Sequence, residues 1–263
     1  MTDILAGVFA KLARAEEHLK LLQHDVDRWR ESGSGPLARE QNARRTEFRF
    51  YTNWNSEPDA TRWGLMLGDG IHNVRSALDH IVYACSGSDP PERCEFPVFL
   101  SREQYFLPAS NRSGGMFRIR GITNSGVRAE IENAQPWKNA TRPKYHLFWM
   151  VHELDVQDKH RLITPVAMTP QELRSRPGLV VLDGRSDVPV SIAGSQWVAL
   201  ENHALVMTVV TPVSARAVEL NASIAFGIGV RVGDTHMGVT AVLGEACRAA
   251  RLLLQEVRSH VEA

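Results

Sequence analysis

The chain is poor in cysteine and in long apolar runs. Only three of its 263 residues are cysteine, and no two of them form a C-x-x-C pair. Such a sparse, odd set argues against a disulfide scaffold and against a structural zinc site. Apolar runs such as ALVMTVV stop far short of the roughly 18 residues that a membrane helix needs, and the N-terminus lacks the pattern of a signal peptide. These absences predict a cytoplasmic protein with no membrane partner.

An excess of charge of one sign is absent as well, because 30 basic residues balance 30 acidic residues. No overall field would draw such a chain to nucleic acid, so any binding of that kind needs a local patch. Of the basic residues, 25 are arginine. The guanidinium suits bidentate contacts with carboxylate or phosphate, although a high-GC genome would produce the same bias. The composition therefore permits a phosphate-binding patch without requiring one.

Apolar residues recur at helical spacing in four segments. These segments lie at about 4–30, 59–86, 143–160 and 239–258. Between residues 179 and 232 the pattern changes to short β-branched runs that are bounded by Gly, Asp or Pro. The sequence therefore predicts an α+β fold, in which a helical bundle of N-terminal, central and C-terminal helices carries an inserted antiparallel β unit.

The same pattern predicts a division of the chain into three parts. Residues 1–162 would form a helical region with short strands, and 163–235 the β-rich unit. Residues 236–263 would form a C-terminal helix that packs back on the helical region.

A stretch of the second predicted helix, GDGIHNVRSALDHIVYA at 68–84, places short polar groups opposite the apolar side. A solvated face favours long Lys, Glu and Arg, whereas Asp, His, Asn and Ser are poorer helix formers. Their concentration indicates a cleft or a polar interface, and a solvated or hydrogen-bonded face is the alternative. The members of the stripe are Asp69, His72, Asn73, Ser76, Asp79, His80 and Tyr83.

The third predicted helix, 143–160, offers a matching set. His152, Asp155 and Lys159 share one stripe, and the helix ends in the segment DKHR, which includes Arg161. We expect the two polar helices to pack side by side, because their hydrogen-bonding groups gain most from partners in a shared cleft. The alternative is a surface ladder of ion pairs.

These two segments resemble a group of bacterial proteins of uncharacterised function, which pair a G-D-x-I-H-N-x-R-S-A-L-D-H helix with a D-K-H-R segment. More distantly, Arg75 and His80 in RSALDH resemble the R-x4-6-H signature of HEPN domains. HEPN domains are helical bundles that often act as metal-independent ribonucleases, and their arginine and histidine meet across a homodimer interface. The resemblance implies a toxin-type or defence-type endoribonuclease with RNA as substrate and, as a further partner, an antitoxin.

In that interpretation the ribose 2′-hydroxyl attacks the phosphate. Arg75 would stabilise charge on the scissile phosphate, and His80 would act as general acid or base. Arg75 and His80 lie about 140° apart on an ideal helix, so they converge only on a ligand that wraps the helix or across a dimer. The predicted catalytic residues are Arg75, His80, Asp79 and His72, and the predicted substrate-binding residues are Asn73, Ser76, Tyr83, Lys159 and Arg161.

Two other classes of function remain open. Asp69-x-x-His72 and His152-x-x-Asp155 each place a carboxylate and an imidazole three residues apart, as facing helices do in bundle metal sites. This pattern would suit an enzyme with a divalent metal, whereas the ribonuclease interpretation needs no cofactor. The third class is a non-enzymatic binding or toxin–antitoxin module in which the β unit recognises a partner.

No G-x-G-x-x-G, P-loop, G-x-S-x-G or H-E-x-x-H motif occurs, so a nucleotide cofactor is not expected. Four tryptophans are predicted to anchor the core rather than to stack on nucleobases. They are Trp63, Trp137, Trp149 and Trp197.

Overall fold

The computed structural model describes residues 4–33, 37–139, 141–168, 179–181, 190–194, 197–220 and 227–262. Helices and antiparallel sheets both occur in these ranges, so the predicted α+β fold is confirmed. The helices are α1 Ala6–Gly33, α2 Ala60–Ala84, α3 Arg102–Tyr105, α4 Gly115–Arg118, α5 Ser125–Asn133, α6 Leu147–His160 and α7 Val239–Glu262. Among the described residues, no helix combines the length and the apolar character required to cross a membrane.

The strands are short and pair antiparallel. They are β1 Ala38–Gln41, β2 Glu47–Tyr51, β3 Val166–Met168, β4 Leu179–Val181, β5 Ser191–Gly194, β6 Trp197–Val198, β7 Leu205–Val210, β8 Val218–Leu220, β9 Gly227–Val232 and β10 Thr235–Gly238. They form two four-stranded sheets, β1-β2-β7-β5 and β10-β9-β3-β6, and the pair β4-β8.

The first sheet combines strands from distant parts of the chain. Strand β2 pairs with β7, with Phe48 opposite Val209, and both side chains are buried. The sheet thus joins a strand of the predicted helical region to strands of the predicted β unit. The three-part division of the chain stays a prediction. Parts of the predicted β-branched runs, at 182–184, 188–189 and 222–226, lie outside the described residues.

Helix α2 lies at the centre of the helical core. Its apolar side is fully buried, as the spacing predicts, at Leu67, Ile71, Val74, Leu78 and Ile81. Helices α1, α6 and α7 pack around it. The N-terminal end of the helix is fixed by Asp59, whose side chain accepts from Arg62 N at 3.0 Å. Burial of this face supplies about 2 kcal/mol per large aliphatic side chain, so α2 is held firmly enough to present its polar side in one orientation.

Helix α6 begins later than the sequence predicts. Residues Pro143–Tyr145 form a 3-10 turn instead of the first turn of the helix. The side chain of His146 then accepts from Phe148 N at 3.3 Å and caps the true start at Leu147. The proline explains the difference, because it supplies no N–H and favours a tight turn at this point.

The tryptophans do not all anchor the core. Trp63 is 2% exposed, as predicted, and Trp137 and Trp149 are partly buried against the core. Trp197, however, is 41% exposed, so the prediction for this residue is wrong. It lies on β6, a two-residue strand at the edge of the second sheet, where nothing in the described chain covers it fully.

Candidate functional site

Helices α2 and α6 cross antiparallel at very short range. Gly64 and Gly68 lie on the side of α2 that faces α6. A Cβ atom at Gly64 would clash with the carbonyl oxygen of Ile163, three residues beyond the end of α6, and one at Gly68 would clash with Oδ1 of Asp158. Glycine at position 64 therefore lets α2 approach the backbone at Ile163, and glycine at position 68 leaves room for the Asp158 carboxylate. The expected side-by-side packing of the two polar helices is observed.

The close approach brings His72 of α2 onto Asp155 of α6. His72 Nδ1 donates to Asp155 Oδ1 at 2.9 Å, and Lys159 Nζ donates to Asp155 Oδ2 at 2.6 Å. The Asp155 side chain is 3% exposed, whereas those of His72 and Lys159 are 54% and 56% exposed. A buried carboxylate therefore holds two exposed groups in fixed positions. We name this trio the His72 cluster.

The hydrogen bond to Asp155 defines the protonation of the His72 ring. A carboxylate only accepts, so Nδ1 carries the proton and Nε2 keeps its lone pair when the ring is neutral. This tautomer presents a proton acceptor to the solvent. The arrangement is the histidine–carboxylate pair that general acid–base catalysis uses.

Two further carboxylates lie beside the His72 cluster. Burial raises the pKa of Asp158, and the neighbouring carboxylates of Asp69 and Asp155 raise it further, while His72 opposes the shift. The carboxylate of Asp158 lies against Gly68 of α2. Asp69, the next residue of α2, is exposed. Acidic side chains thus lie close to one side of the imidazole.

Arg75, one turn along α2 from His72, is a buried structural residue. It is 6% exposed, and its Nη2 donates both to Asp79 Oδ1 and to the carbonyl oxygen of Phe96, each at 2.8 Å. The N–H of Phe96 also donates to Asp79 Oδ1 at 2.8 Å. Burial raises the pKa of Asp79, and Arg75 and the Phe96 N–H oppose the shift. These bonds attach the loop at 94–99 to α2.

His152 occupies the same interior. Burial lowers its pKa, and the nearby guanidinium groups of Arg75 and Arg118 lower it further, against Asp155 and Glu95. The ring is therefore neutral near pH 7. Nη1 of Arg75 and Nε of Arg118 are buried and have no hydrogen-bond partner among the described residues.

The structure does not bring His80 to Arg75 within one chain. His80 lies against α1, where a Cβ atom at Gly7 would be 3.2 Å from its Nδ1. There it lines a pocket of about 300 Å³ together with Tyr83. Arg75 points instead to the Phe96 loop. The predicted Arg75–His80 pair therefore has its two members on different sides of α2.

The remaining predicted residues do not gather at the His72 cluster. Asn73 Nδ2 donates to the carbonyl oxygen of Asp69 at 2.8 Å, which turns the amide back onto its own helix. Ser76 is half-buried and Tyr83 is 60% exposed. Arg161, just beyond α6, lines a separate pocket with Arg231. Of the predicted substrate-binding groups, Lys159 belongs to the His72 cluster.

The predicted metal ligands do not form a ligand set. Both oxygens of Asp155 accept hydrogen bonds from His72 and Lys159, and His152 is placed among arginines. Within the part of the chain that the structure describes, no three His, Cys, Asp or Glu side chains are placed to hold one metal ion.

Comparison of the chain with protein-family models, with curated proteins and with solved structures gives no significant match. The site is therefore interpreted from its own geometry. Sequence reasoning missed the role of Gly64 and Gly68 in that geometry. The signal was present as a four-residue spacing that continues to His72.

Proposed function

We propose that the protein is a metal-independent endoribonuclease in which His72 transfers the proton. The observation that supports the proposal is the His72 cluster, where a buried carboxylate orients an exposed imidazole and an exposed ammonium. An imidazole is the side chain that most often transfers protons in enzymes, and an ammonium suits a phosphate.

RNA suits this set of groups because it brings its own nucleophile. Burial raises the pKa of Cys85 to about 11 and that of Cys247 to about 12, so neither thiol supplies a thiolate near pH 7. The ribose 2′-hydroxyl needs only a base, an oriented phosphate and a proton for the leaving oxygen. The His72 cluster offers a base, His72, and a cation that can orient the phosphate, Lys159.

The proposed reaction is an internal transfer. His72 Nε2 takes the proton of the 2′-hydroxyl while the 2′-oxygen attacks phosphorus, and Lys159 stabilises charge on the phosphate oxygens. The bond from phosphorus to O5′ then breaks, and O5′ takes a proton from water. The products are a 2′,3′-cyclic phosphate and a 5′-hydroxyl, and the protonated His72 returns its proton to solvent.

This proposal assigns Arg75 a positioning role and leaves His80 outside the reaction. Arg75 holds the Phe96 loop against α2, and its Nη2 is occupied by two acceptors. The HEPN resemblance instead predicts catalysis by Arg75 and His80 across a homodimer. The homodimer, an antitoxin partner and the toxin or defence role remain predictions of that resemblance.

One cleavage assay separates the two assignments. Wild type, His72→Ala, His80→Ala and the control His24→Ala, an exposed residue of α1, are incubated with end-labelled RNA in the presence of EDTA. We expect His72→Ala to lower the rate by about 10²-fold or more, and the other two variants to stay within about threefold of wild type. Circular dichroism checks the fold of each variant.

Two outcomes count against the proposal. If wild type cuts no RNA in EDTA, the metal-independent activity is absent. If His80→Ala loses activity while His72→Ala retains it, the catalytic histidine is the one that the HEPN signature predicts.

A further inference from the structure

A cationic surface lies on the other side of α6 from the His72 cluster, where the helix meets the β9–β10 hairpin. It surrounds a pocket of about 490 Å³. Arg161, His160 and Arg231 line this pocket, and Glu153 is its only acidic lining residue among those described. Cationic groups thus outnumber acidic ones here, although the whole chain has no net charge. This is the local patch that the balanced composition requires for binding an anion.

An exposed aromatic pair lies next to this pocket. Trp197 of β6 and His236 of β10 stack with ring centroids 4.8 Å apart and an interplanar angle of 27°. Trp197 is 41% exposed. Burial lowers the pKa of His236, and Arg231 lowers it further, so the imidazole is neutral near pH 7. An exposed indole stacked on a neutral, half-buried imidazole offers a flat surface to another ring.

Arg231 joins the two features. It lies directly opposite His236 in the β9–β10 register, so both side chains are on the same face of the hairpin. Its Nε donates to the carbonyl oxygen of Gly233 at 2.9 Å, which fixes the guanidinium at the pocket. The pocket and the aromatic pair therefore form one continuous surface.

We infer that this surface binds single-stranded RNA, with Arg161, Arg231 and His160 at backbone phosphates and the Trp197–His236 pair stacked on a base. Single-stranded nucleic acids are bound by this combination of a cationic track and an aromatic platform. A duplex hides the faces of its bases, so the aromatic pair specifies unpaired nucleotides.

The inference rests on the proposed function, which it extends. Lys159 of the His72 cluster is followed directly by His160 and Arg161 of the pocket. A strand that follows these consecutive residues around the end of α6 would pass from the pocket to the His72 cluster. The surface would thus hold the nucleotides that flank the cleaved bond.

The test is a binding titration with a fluorescein-labelled single-stranded RNA of about 12 nucleotides, followed by fluorescence anisotropy. We expect Arg161→Gln and Arg231→Gln each to weaken binding severalfold and to reduce the salt dependence of binding by about one counterion. Trp197→Ala should weaken binding by about tenfold, and Trp197→Phe should restore most of it. Arg248→Gln is the control, since Arg248 is an exposed arginine of α7 that pairs with Glu245.

An abasic oligonucleotide of the same length tests the stacking directly. We expect Trp197→Ala to leave its affinity unchanged, because it has no base to stack, while both arginine variants still weaken it. If Trp197→Ala weakens the abasic and the normal strand equally, the stacking role is wrong. If wild type fails to bind RNA at low salt, or if the arginine variants match Arg248→Gln, the whole inference is overturned.

The His72→Ala variant separates this inference from the proposed function. It should bind the RNA with wild-type affinity, since His72 lies outside the surface. Binding by both proteins without cleavage would contradict the proposed function and support the RNA surface. If Trp197→Ala and Arg231→Gln cleave RNA with the same KM as wild type, the proposed function is supported and the inference of an RNA-binding surface is overturned.

Discussion

Asp155 shows how one buried residue orders two exposed ones. A buried carboxylate without partners would be strongly unfavourable, but both of its oxygens accept hydrogen bonds here, from His72 and Lys159. The exposed residues lose freedom because their shared partner is fixed in the helix interface. This is preorganisation at the level of single side chains, and it makes Asp155 a sensitive test of the cleft.

We expect Asp155→Asn to lower RNA cleavage by about 10²-fold or more with little change in KM, because an amide no longer stabilises the protonated imidazole. The free energy of unfolding should fall by about 1–3 kcal/mol, since Lys159 and His72 lose a buried acceptor. Cleavage kinetics and urea denaturation measure the two effects. The matched control is Asp27→Asn on the surface of α1. Wild-type kinetics in Asp155→Asn would show that the carboxylate does not orient the base.

The pKa of His152 predicts a pH dependence of stability. Burial, followed by Arg75 and Arg118, lowers this pKa below the ordinary value of 6.5, which the unfolded chain retains. As the pH falls below about 6.5, the unfolded state takes up a proton at this residue before the folded state does, so stability is lost. We expect the stability of His152→Gln to decline less than that of wild type between pH 7 and 5, as followed by urea denaturation.

The control in that experiment is His24→Gln, which replaces an exposed histidine of α1. An NMR titration of His152 provides an independent check. A measured pKa at or above that of a free histidine would contradict the assignment of a neutral, buried ring. Burial also lowers the pKa of His146, so the stability of the His152 variant should still depend on pH to some extent.

At the scale of elements, the approach of α2 to the segment that follows α6 depends on glycine. A Cβ atom at Gly64 meets the carbonyl oxygen of Ile163, a backbone atom that cannot rotate away. We expect Gly64→Ala to destabilise the protein by about 1–3 kcal/mol through overpacking, although alanine is the better helix former. Thermal or urea denaturation gives the difference.

Gly244 of α7 is the matched control, because a Cβ atom there would make an ordinary contact at 3.5 Å with Leu19. Gly244→Ala should be neutral or stabilising by up to about 1 kcal/mol. Equal effects of the two substitutions would show that the α2–α6 approach does not require glycine. Loss of cleavage in Gly64→Ala beyond its loss of stability would link the helix spacing to the His72 cluster.

The sequence predicts the elements that have a strong period and misses what depends on distant contacts. The apolar stripe of α2 is buried as expected, and the contact between its polar side and α6 follows from the matching sets of His72 and Asp155. The burial of Arg75 was not predicted, since on the helix it lies off the apolar face. The loop that contains Phe96 covers Arg75. The periodicity of a helix gives no information about its contacts with a loop elsewhere in the chain.

The same limit applies to the sheets. Strand β2 is visible as an alternating segment, but its pairing with β7 joins residues about 160 positions apart, and periodicity contains no information on partners. The exposed pair of Trp197 and His236 likewise needs two strands from opposite edges of one sheet. A tryptophan in a short strand therefore gave no sign of its exposure.

At the scale of the whole molecule, the two assignments of the catalytic histidine differ in how many chains make one site. The His72 cluster is complete within a single chain, whereas Arg75 and His80 would have to meet across two chains. Cleavage by a single-chain site should be proportional to protein concentration even where a dimer dissociates. Cleavage by a shared site should fall more steeply on dilution.

We therefore expect the specific activity to stay constant on dilution, whatever oligomeric state light scattering finds at high concentration. A mixing experiment adds a second comparison. It uses two variants, Arg75→Gln and His80→Ala, each of which removes one half of the site that the HEPN signature predicts. For a shared site, a mixture of the two variants regains activity. The mixed dimer contains two composite sites, and one of them combines the intact arginine of one chain with the intact histidine of the other. For a single-chain site, His80→Ala is active alone and mixing adds nothing, since Arg75 acts only inside its own chain. Recovery on mixing of two variants that are inactive separately would place the reaction at a dimer interface and remove His72 from its proposed role.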